Sequence, residues 1–175
     1  MFEPFFGFEK TPFQKDLPVG KLFVTPAYEE LVSRLKYTAE KRLFALITGE
    51  VGSGKSTALR KLLELLNPNK YRVIYISDSA LTPRHFYWES LRQLGCEPKF
   101  NRGQAKRQLH QTILDLAENE RKTPVIIIDE AHLLDKEMLE EMRFLLNFRM
   151  DSYNPLSLIL VGQPELKRVL QLQVY

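Results

Sequence analysis

Apolar residues occur along the chain in two alternating patterns. Short, mostly apolar runs that are rich in β-branched residues have the length of strands inside a covered sheet. These runs cover residues 43–47, 72–77, 125–128 and 156–161. Between them, apolar residues recur every three or four positions, which predicts amphipathic helices. The helical stretches cover residues 26–41, 57–66, 83–94, 104–121, 136–148 and 164–171. The alternation predicts a three-layer α/β fold with a mostly parallel sheet.

Residues at the ends of the helical stretches indicate where helices begin and stop. Thr25 and Asp135 each precede a helical stretch, and their side chains can accept a hydrogen bond from a first-turn N–H group. Gly95 follows the third stretch, and glycine commonly ends a helix. Residues 97–103 are then predicted to form a loop. Residues 1–25, rich in Phe and Pro, are predicted to wrap the domain without regular structure.

Composition narrows the class of protein. A chain of 175 residues with 44% hydrophobic residues is long enough for one domain with a sizeable core. The net charge of +3 permits contact with nucleic acid but does not by itself indicate it. The single cysteine, Cys96, excludes an internal disulfide. The three histidines are scattered in the sequence and form no metal-ligand cluster. The chain starts without a signal-peptide pattern and holds no apolar run near the ~20 residues of a membrane span, so a reducing cytoplasm is the expected location.

Residues 49–56 carry the most informative motif. They read Gly-Glu-Val-Gly-Ser-Gly-Lys-Ser and lie between a predicted strand and a predicted helix. This is the pattern of a phosphate-binding loop, in which backbone N–H groups and the positive end of a helix face a phosphate. Lys55 is expected to reach the β- and γ-phosphates, and the Ser56 hydroxyl to bind Mg²⁺. The expected nucleotide-binding residues are Gly49, Glu50, Val51, Gly52, Ser53, Gly54, Lys55, Ser56 and Thr57.

Two adjacent carboxylates end the third predicted strand. Asp129 and Glu130 follow a run without polar residues, and ligands of open α/β sheets bind at the carboxyl ends of the strands. Asp129 is expected to hold Mg²⁺, directly or through water, and Glu130 to orient or deprotonate an attacking water. Gln163 follows the fourth strand; it either hydrogen-bonds the nucleotide or the water, or is an ordinary turn amide. Asp78, after the second strand, either contacts Glu130 or forms a turn before the next helix.

Four basic residues stand close together around residue 100: Lys99, Arg102, Lys106 and Arg107. They can contact a phosphate backbone, or they can be the solvated face of a helix. Basic charge near a helix N-terminus is locally unfavourable, which favours a second purpose. The histidines, His85, His110 and His132, are interpreted as surface or packing residues.

The order and spacing of the motifs resemble those of the AAA+ ATPases, and within them the ExeA/TniB-like group of general secretion and DNA transposition ATPases. The resemblance covers nearly the whole chain. It is carried by Phe6-Gly7-Phe8 with Pro12-Phe13, and by residues 46–57, 79–83, 128–134, 145–148 and 160–166. The string Gly-Gln-Pro-Glu-Leu at residues 162–166 is more specific to the group than the two nucleotide motifs are.

The resemblance implies a P-loop NTPase fold of the AAA+ type, with ATP and Mg²⁺ as ligands and hydrolysis of ATP to ADP and phosphate. It places Gln163 at the sensor position, where it joins Glu130 and Lys55 as a catalytic residue. It implies the strand order 5-1-4-3-2, and because the fifth strand and the helical lid would follow Tyr175, the phosphate-loop strand is expected at a sheet edge. Residues 26–175 are then the nucleotide-binding core without its lid.

The implied function is a regulator that couples nucleotide state to assembly. DNA transposition is the first expectation for the process and general secretion the alternative. Two other classes stay open: a nucleotide-dependent interaction module with little turnover, and a small-molecule kinase, for which no acceptor pocket is visible in the sequence. The implied partners are ATP or ADP, DNA, a transposase-type protein and, at full length, further copies of the chain.

Overall fold

Four parallel strands form the centre of the molecule. The computed structural model describes residues 3–8, 17–78, 81–149 and 152–172. Within these ranges the strands are β1 (Phe44–Thr48), β2 (Tyr71–Ile76), β3 (Thr123–Ile128) and β4 (Ser157–Gly162). Their order across the sheet is β1-β4-β3-β2, and every neighbouring pair is parallel. The predicted order is confirmed for these four strands, and β1, which leads into the phosphate loop, lies at an edge as expected.

Helices cover both faces of the sheet. They are α1 (Glu3–Phe6), α2 (Pro26–Lys41), α3 (Lys55–Leu65), α4 (Pro83–Gln93), α5 (Arg102–Glu118), α6 (Lys136–Leu146) and α7 (Glu165–Leu172). Side chains of β3 alternate between the two layers: Ile126 and Ile128 pack with α4, α5 and α6, whereas Val125 and Ile127 pack with α2 and α3. All four are fully buried, which explains why this strand reads as a continuous apolar run. The three-layer α/β fold is therefore confirmed.

The predicted helix boundaries are confirmed at three positions. The Thr25 side chain accepts from the Tyr28 N–H group, and the Asp135 side chain accepts from the Met138 N–H group at 2.7 Å. Gly95 follows α4 with a φ of 81°, a left-handed conformation that glycine adopts without strain.

Other boundaries differ from the prediction. The predicted loop 97–103 ends early, because Asn101 accepts a hydrogen bond from the Gly103 N–H group at 2.9 Å and caps α5 at Arg102. The helix predicted over 136–148 ends at Leu146, since Phe148 instead forms an antiparallel bridge with Tyr153.

The N-terminal part contains two short helical elements, so the expectation that it lacks regular structure is wrong there. These are α1 and a 3-10 turn, Val19–Lys21. Val19 is buried, and the carbonyl of Leu17 accepts a hydrogen bond from Arg60 on α3 at 3.0 Å. Pro12 and Phe13 lie outside the described residues. The role of residues 1–25 as a wrapping segment stays a prediction.

The second sheet edge is covered by a side chain. On β2, the Tyr75 N–H group donates to Gln93 Oε1 at 2.9 Å, and the Tyr75 carbonyl accepts from Gln93 Nε2 at 2.8 Å. The amide of Gln93 thus takes the place of a neighbouring strand at this position, which reduces the tendency of the edge to pair with another chain. In the part of the chain described, no helix combines the length and the apolar character needed to cross a bilayer.

Candidate functional site: the phosphate-loop cleft

The loop after β1 is shaped by two glycines in left-handed conformations. Gly52 has a φ of 82° and Gly54 a φ of 87°. Such angles strain residues that carry a Cβ atom, so the sequence needs glycine at both positions. Gly54 is also the N-cap of α3 and offers no capping side chain. The first-turn N–H groups of α3 therefore face the loop region without a side-chain acceptor, which suits an anion.

Lys55 is folded back onto its own loop. Its Nζ donates to the carbonyl oxygen of Gly49 at 2.6 Å and to that of Glu50 at 2.8 Å. A Cβ atom at Gly49 would lie 2.7 Å from Ser53 Oγ, so the loop is tightly closed around this position. The ammonium group is thus held at the loop, where a phosphate oxygen can replace the two carbonyls.

The loop forms one wall of a cleft of about 260 Å³. The cleft is lined by Val51, Gly52, Ser53, Gly54, Lys55, Ser56, Thr57, Glu130 and Gln163. Nine of the predicted site residues are thereby brought together from three parts of the sequence. Three others do not line the cleft: Gly49 and Glu50 form the base of the loop, and Asp129 is buried behind Glu130 at 6% exposure.

Asp129 is held by hydrogen bonds on both carboxylate oxygens. Its Oδ1 accepts from the Glu130 N–H group at 2.9 Å, and its Oδ2 accepts from the Tyr75 hydroxyl at 2.9 Å. Burial, together with the bond to Asp129, raises the pKa of Tyr75 to about 12, so the phenol remains a donor at neutral pH. Sequence reasoning missed Tyr75; the available signal was its place near the end of β2, beside the strand that carries Asp129.

Glu130 has a left-handed backbone with a φ of 53°. This conformation is uncommon for a residue other than glycine and clusters at functional sites. Here it starts the 3-10 turn Ala131–Leu133 directly after β3 and leaves the carboxylate half-exposed at the cleft. Two adjacent carboxylates thereby differ in environment: one is buried and fixed, and the other faces the cleft.

The oxygen atoms at this site fit Mg²⁺. The ion prefers hard oxygen ligands and usually keeps several waters. Ser56 offers a hydroxyl at the cleft, and each Asp129 oxygen, which already accepts one hydrogen bond, has a second lone pair for a metal-bound water. The donor set therefore supports the predicted roles of Ser56 and Asp129 as metal ligands, which stay predictions.

His132 connects two of the cleft residues. Its Nδ1 lies 3.4 Å from Glu130 Oε2, and its Nε2 lies 3.0 Å from Gln163 Nε2. The side chain is only 12% exposed, against 50% for Glu130. The sequence interpretation treated His132 as a surface or packing residue and missed both contacts. The sequence feature that could have indicated them is the position of His132, two residues after Glu130 in a stretch that leads into a tight turn.

The remaining candidates lie elsewhere. Asp78 Oδ2 is 3.1 Å from His85 Nδ1 on α4. Arg102 and Lys106 are not a solvated face: both bind Glu141 of α6, and Arg102 also binds Glu137. The acidic partners explain why basic charge is tolerated at the start of α5. Lys99 and Arg107 are exposed.

Comparisons with known proteins agree with this arrangement. The family described as AAA domain matches residues 38–170. The General secretion pathway protein A of Aeromonas hydrophila is 31% identical over 177 aligned residues, which cover 98% of this chain and 31% of that protein. The chain thus spans about a third of the length of this relative.

Two solved structures share the fold. The Cdc6p protein of Pyrobaculum aerophilum has a TM-score of 0.64 at 20% identity, over 89% of this chain and 42% of that chain. The Aeropyrum pernix ORC2 protein, in its ADPNP–ADP complexes, has a TM-score of 0.60 at 15% identity, over 91% of this chain and 48% of that chain. At these identities the likeness shows the fold alone. Together, the family match over most of the chain and the phosphate-loop cleft lead to one conclusion: the chain belongs to the AAA domain family and, within it, is similar to the ExeA-like ATPases.

Proposed function

We propose that this chain binds MgATP in the phosphate-loop cleft and hydrolyses it to ADP and phosphate. The observation that supports this is that residues 51–57, Glu130 and Gln163 line one cleft. The loop N–H groups and the first turn of α3 bind the triphosphate, and the Lys55 ammonium moves from the loop carbonyls to the β- and γ-phosphates. Phosphoryl transfer depends mainly on positioning and on charge stabilisation, and these groups supply both.

Glu130 acts on the water that attacks the γ-phosphate. Its carboxylate faces the cleft, whereas that of Asp129 is buried and bound on both oxygens, so Glu130 is the carboxylate placed to orient the water and accept its proton. Gln163, which also lines the cleft, donates an amide hydrogen to the water or to the γ-phosphate. Ser56 and Asp129 would hold Mg²⁺, which when bound neutralises charge on the phosphates.

The process that this ATPase serves is proposed to be DNA transposition, as a regulator that couples nucleotide state to assembly with DNA, a transposase-type protein and further copies of the chain. The net charge of +3 and the exposed Lys99 and Arg107 support contact with a phosphate backbone. General secretion is the second candidate, because the 31% identical relative is a secretion pathway protein. Either role would be carried out in the cytoplasm, where ATP is available.

The test is ATP hydrolysis with and without duplex DNA. Wild type is compared with Lys55→Ala and Glu130→Gln, and the variant pair Lys99→Ala/Arg107→Ala is compared with Lys36→Ala/Lys41→Ala, which removes the same charge from α2. The proposal predicts turnover that DNA stimulates, that both cleft variants lose, and that becomes independent of DNA only when Lys99 and Arg107 are replaced.

Other results separate the alternatives. Turnover that DNA leaves unchanged would favour the secretion role over transposition. MgATP binding without turnover would indicate an interaction module. Phosphate transfer to an acceptor other than water would indicate a kinase and overturn the hydrolysis proposal.

A further inference from the structure

His132 contacts two of the residues that line the cleft, Glu130 and Gln163. His132 belongs to the turn Ala131–Leu133, and its ring reaches both Glu130 of the β3 end and Gln163 of the β4 end. Glu130 and Gln163 are 33 positions apart in the sequence and lie on different strand ends. In the part of the chain described, His132 contacts the side chains of both Glu130 and Gln163.

Three contacts surround the His132 ring. The Gln163 backbone N–H group donates to Nδ1 at 3.4 Å, Gln163 Nε2 lies 3.0 Å from His132 Nε2, and Glu130 Oε2 lies 3.4 Å from Nδ1. A neutral imidazole carries its proton on one nitrogen, so the contacts correspond to two tautomers. With the proton on Nδ1, the ring donates to Glu130 and its Nε2 accepts from the Gln163 amide. With the proton on Nε2, Nδ1 accepts from the Gln163 backbone N–H group, and only the first form links both side chains.

The backbone of His132 packs closely against Gly162. A Cβ atom at this position would lie 3.0 Å from the backbone nitrogen of His132 and 3.0 Å from Leu166 Cδ2. The Gly162 carbonyl also accepts a hydrogen bond from the Gly49 N–H group at 3.2 Å, which ties the same strand end to the phosphate loop. The position of His132 is thus coupled to the backbone of the loop and not only to its own turn.

We propose that His132 is a positioning residue that holds the Glu130 carboxylate and the Gln163 amide in a fixed mutual arrangement for the attack of water. This inference rests on the proposed ATPase activity. Glu130 is half-exposed and would otherwise sample several rotamers at the mouth of the cleft. A tether to a largely buried ring reduces this freedom, and loss of such positioning typically slows the chemical step without weakening substrate binding.

Three replacements of His132 separate its two contacts. His132→Phe retains the ring and removes both nitrogens. His132→Asn can place an amide nitrogen near the Nδ1 position and keep the link to Glu130, whereas His132→Gln can reach the Nε2 position and keep the link to Gln163. We expect His132→Phe to lower kcat about tenfold or more while the Kd for MgATP changes less than about twofold. Asn and Gln should each recover part of the loss.

A double variant tests the coupling directly. If Gln163 is oriented through His132, then His132→Phe/Gln163→Ala should be about as slow as the slower single variant, because both changes interrupt one chain of contacts. Multiplicative losses, or equal kcat values for wild type and His132→Phe, would overturn the inference.

Imidazole nitrogen NMR at pH 8 gives a readout that needs no turnover. We expect the His132 ring of wild type to carry its proton on Nδ1, and Gln163→Ala to release this tautomer preference. A ring protonated on Nε2, or one that is unchanged in Gln163→Ala, would contradict the proposed arrangement. Absence of hydrolysis by wild type would count against the proposed function alone, since the NMR result tests the His132 link in either case.

Discussion

The Tyr75 hydroxyl donates a 2.9 Å hydrogen bond to Asp129 Oδ2, so a residue of the outer strand β2 orients the carboxylate that is proposed to hold Mg²⁺. Groups that hydrogen-bond to metal ligands commonly tune metal affinity. The backbone of Tyr75 is held separately, by the amide of Gln93. The hydroxyl can therefore be removed while the edge of the sheet stays closed.

Tyr75→Phe should weaken Mg²⁺ binding and so raise the Mg²⁺ concentration that the protein requires. Without its partner, Asp129 Oδ2 is less fixed, and we expect the Mg²⁺ concentration for half-maximal ATP binding to rise roughly tenfold. The measurement is a Mg²⁺ titration at fixed ATP. Tyr37→Phe is the matched control, because Tyr37 is an exposed tyrosine on α2. Equal Mg²⁺ requirements for the two variants would exclude a role of the Tyr75 hydroxyl.

Gly162→Ala should displace His132, which contacts two residues of the cleft. The added Cβ atom would press on the backbone of His132 and on Leu166, each at 3.0 Å, and overpacking of this kind typically costs about 1–3 kcal/mol. We expect a lower free energy of unfolding in urea together with a lower kcat. Gly20→Ala is the control, since a Cβ atom there meets nothing within 4 Å and its φ is not positive. Unchanged stability and turnover in Gly162→Ala would show that the turn Ala131–Leu133 accommodates the added Cβ atom without cost.

Glu141 links three elements beneath the surface of α5 and α6. Its carboxylate accepts hydrogen bonds from Tyr87, Arg102 and Lys106. Burial by itself would raise the pKa of Glu141, but the bonds from Lys106, Tyr87 and Arg102 together outweigh it and lower the pKa from 4.5 to about 2. A carboxyl with a depressed folded-state pKa stabilises the fold above its unfolded pKa and loses that contribution as pH falls toward the folded value.

Glu141→Gln should therefore be destabilising in a pH-dependent manner. The pKa shift corresponds to roughly 3 kcal/mol at neutral pH. The difference from wild type in free energy of unfolding should stay nearly constant from pH 7 to pH 5 and fall by about half at pH 3. Glu137→Gln is the control: this glutamate also binds Arg102 but is 57% exposed, so we expect a loss under about 1 kcal/mol. Equal losses of unfolding free energy in Glu141→Gln and Glu137→Gln would contradict the conclusion that the buried glutamate contributes more stability than the exposed one.

The sequence predicted those features that depend on local pattern. Apolar runs such as 125–128 located the four described strands to within two residues, because a strand covered on both faces leaves no room for polar side chains. The phosphate loop was predicted from residues 49–56, since its glycines and its lysine act within one turn of backbone.

What the sequence could not predict depends on contacts between distant residues. Arg102 was assigned to a loop, yet it begins α5 and binds Glu137 and Glu141, which lie 35 and 39 positions away. Tyr75 and His132 gain their importance from neighbours on other strands, Asp129 and Gln163 respectively. Their positions in the sequence, near the end of β2 and two residues after Glu130, place them near the site but do not identify their partners.

The cleft beside the 49–57 loop is proposed to bind MgATP. Calorimetric titration of wild type, Lys55→Ala and Lys61→Ala with MgATP tests it most directly, because Lys61 lies on the same helix but pairs with Glu64 away from the loop. We expect saturable binding by wild type and Lys61→Ala and at least about tenfold weaker binding by Lys55→Ala. Absence of binding by wild type, or equal binding by Lys55→Ala, would contradict it.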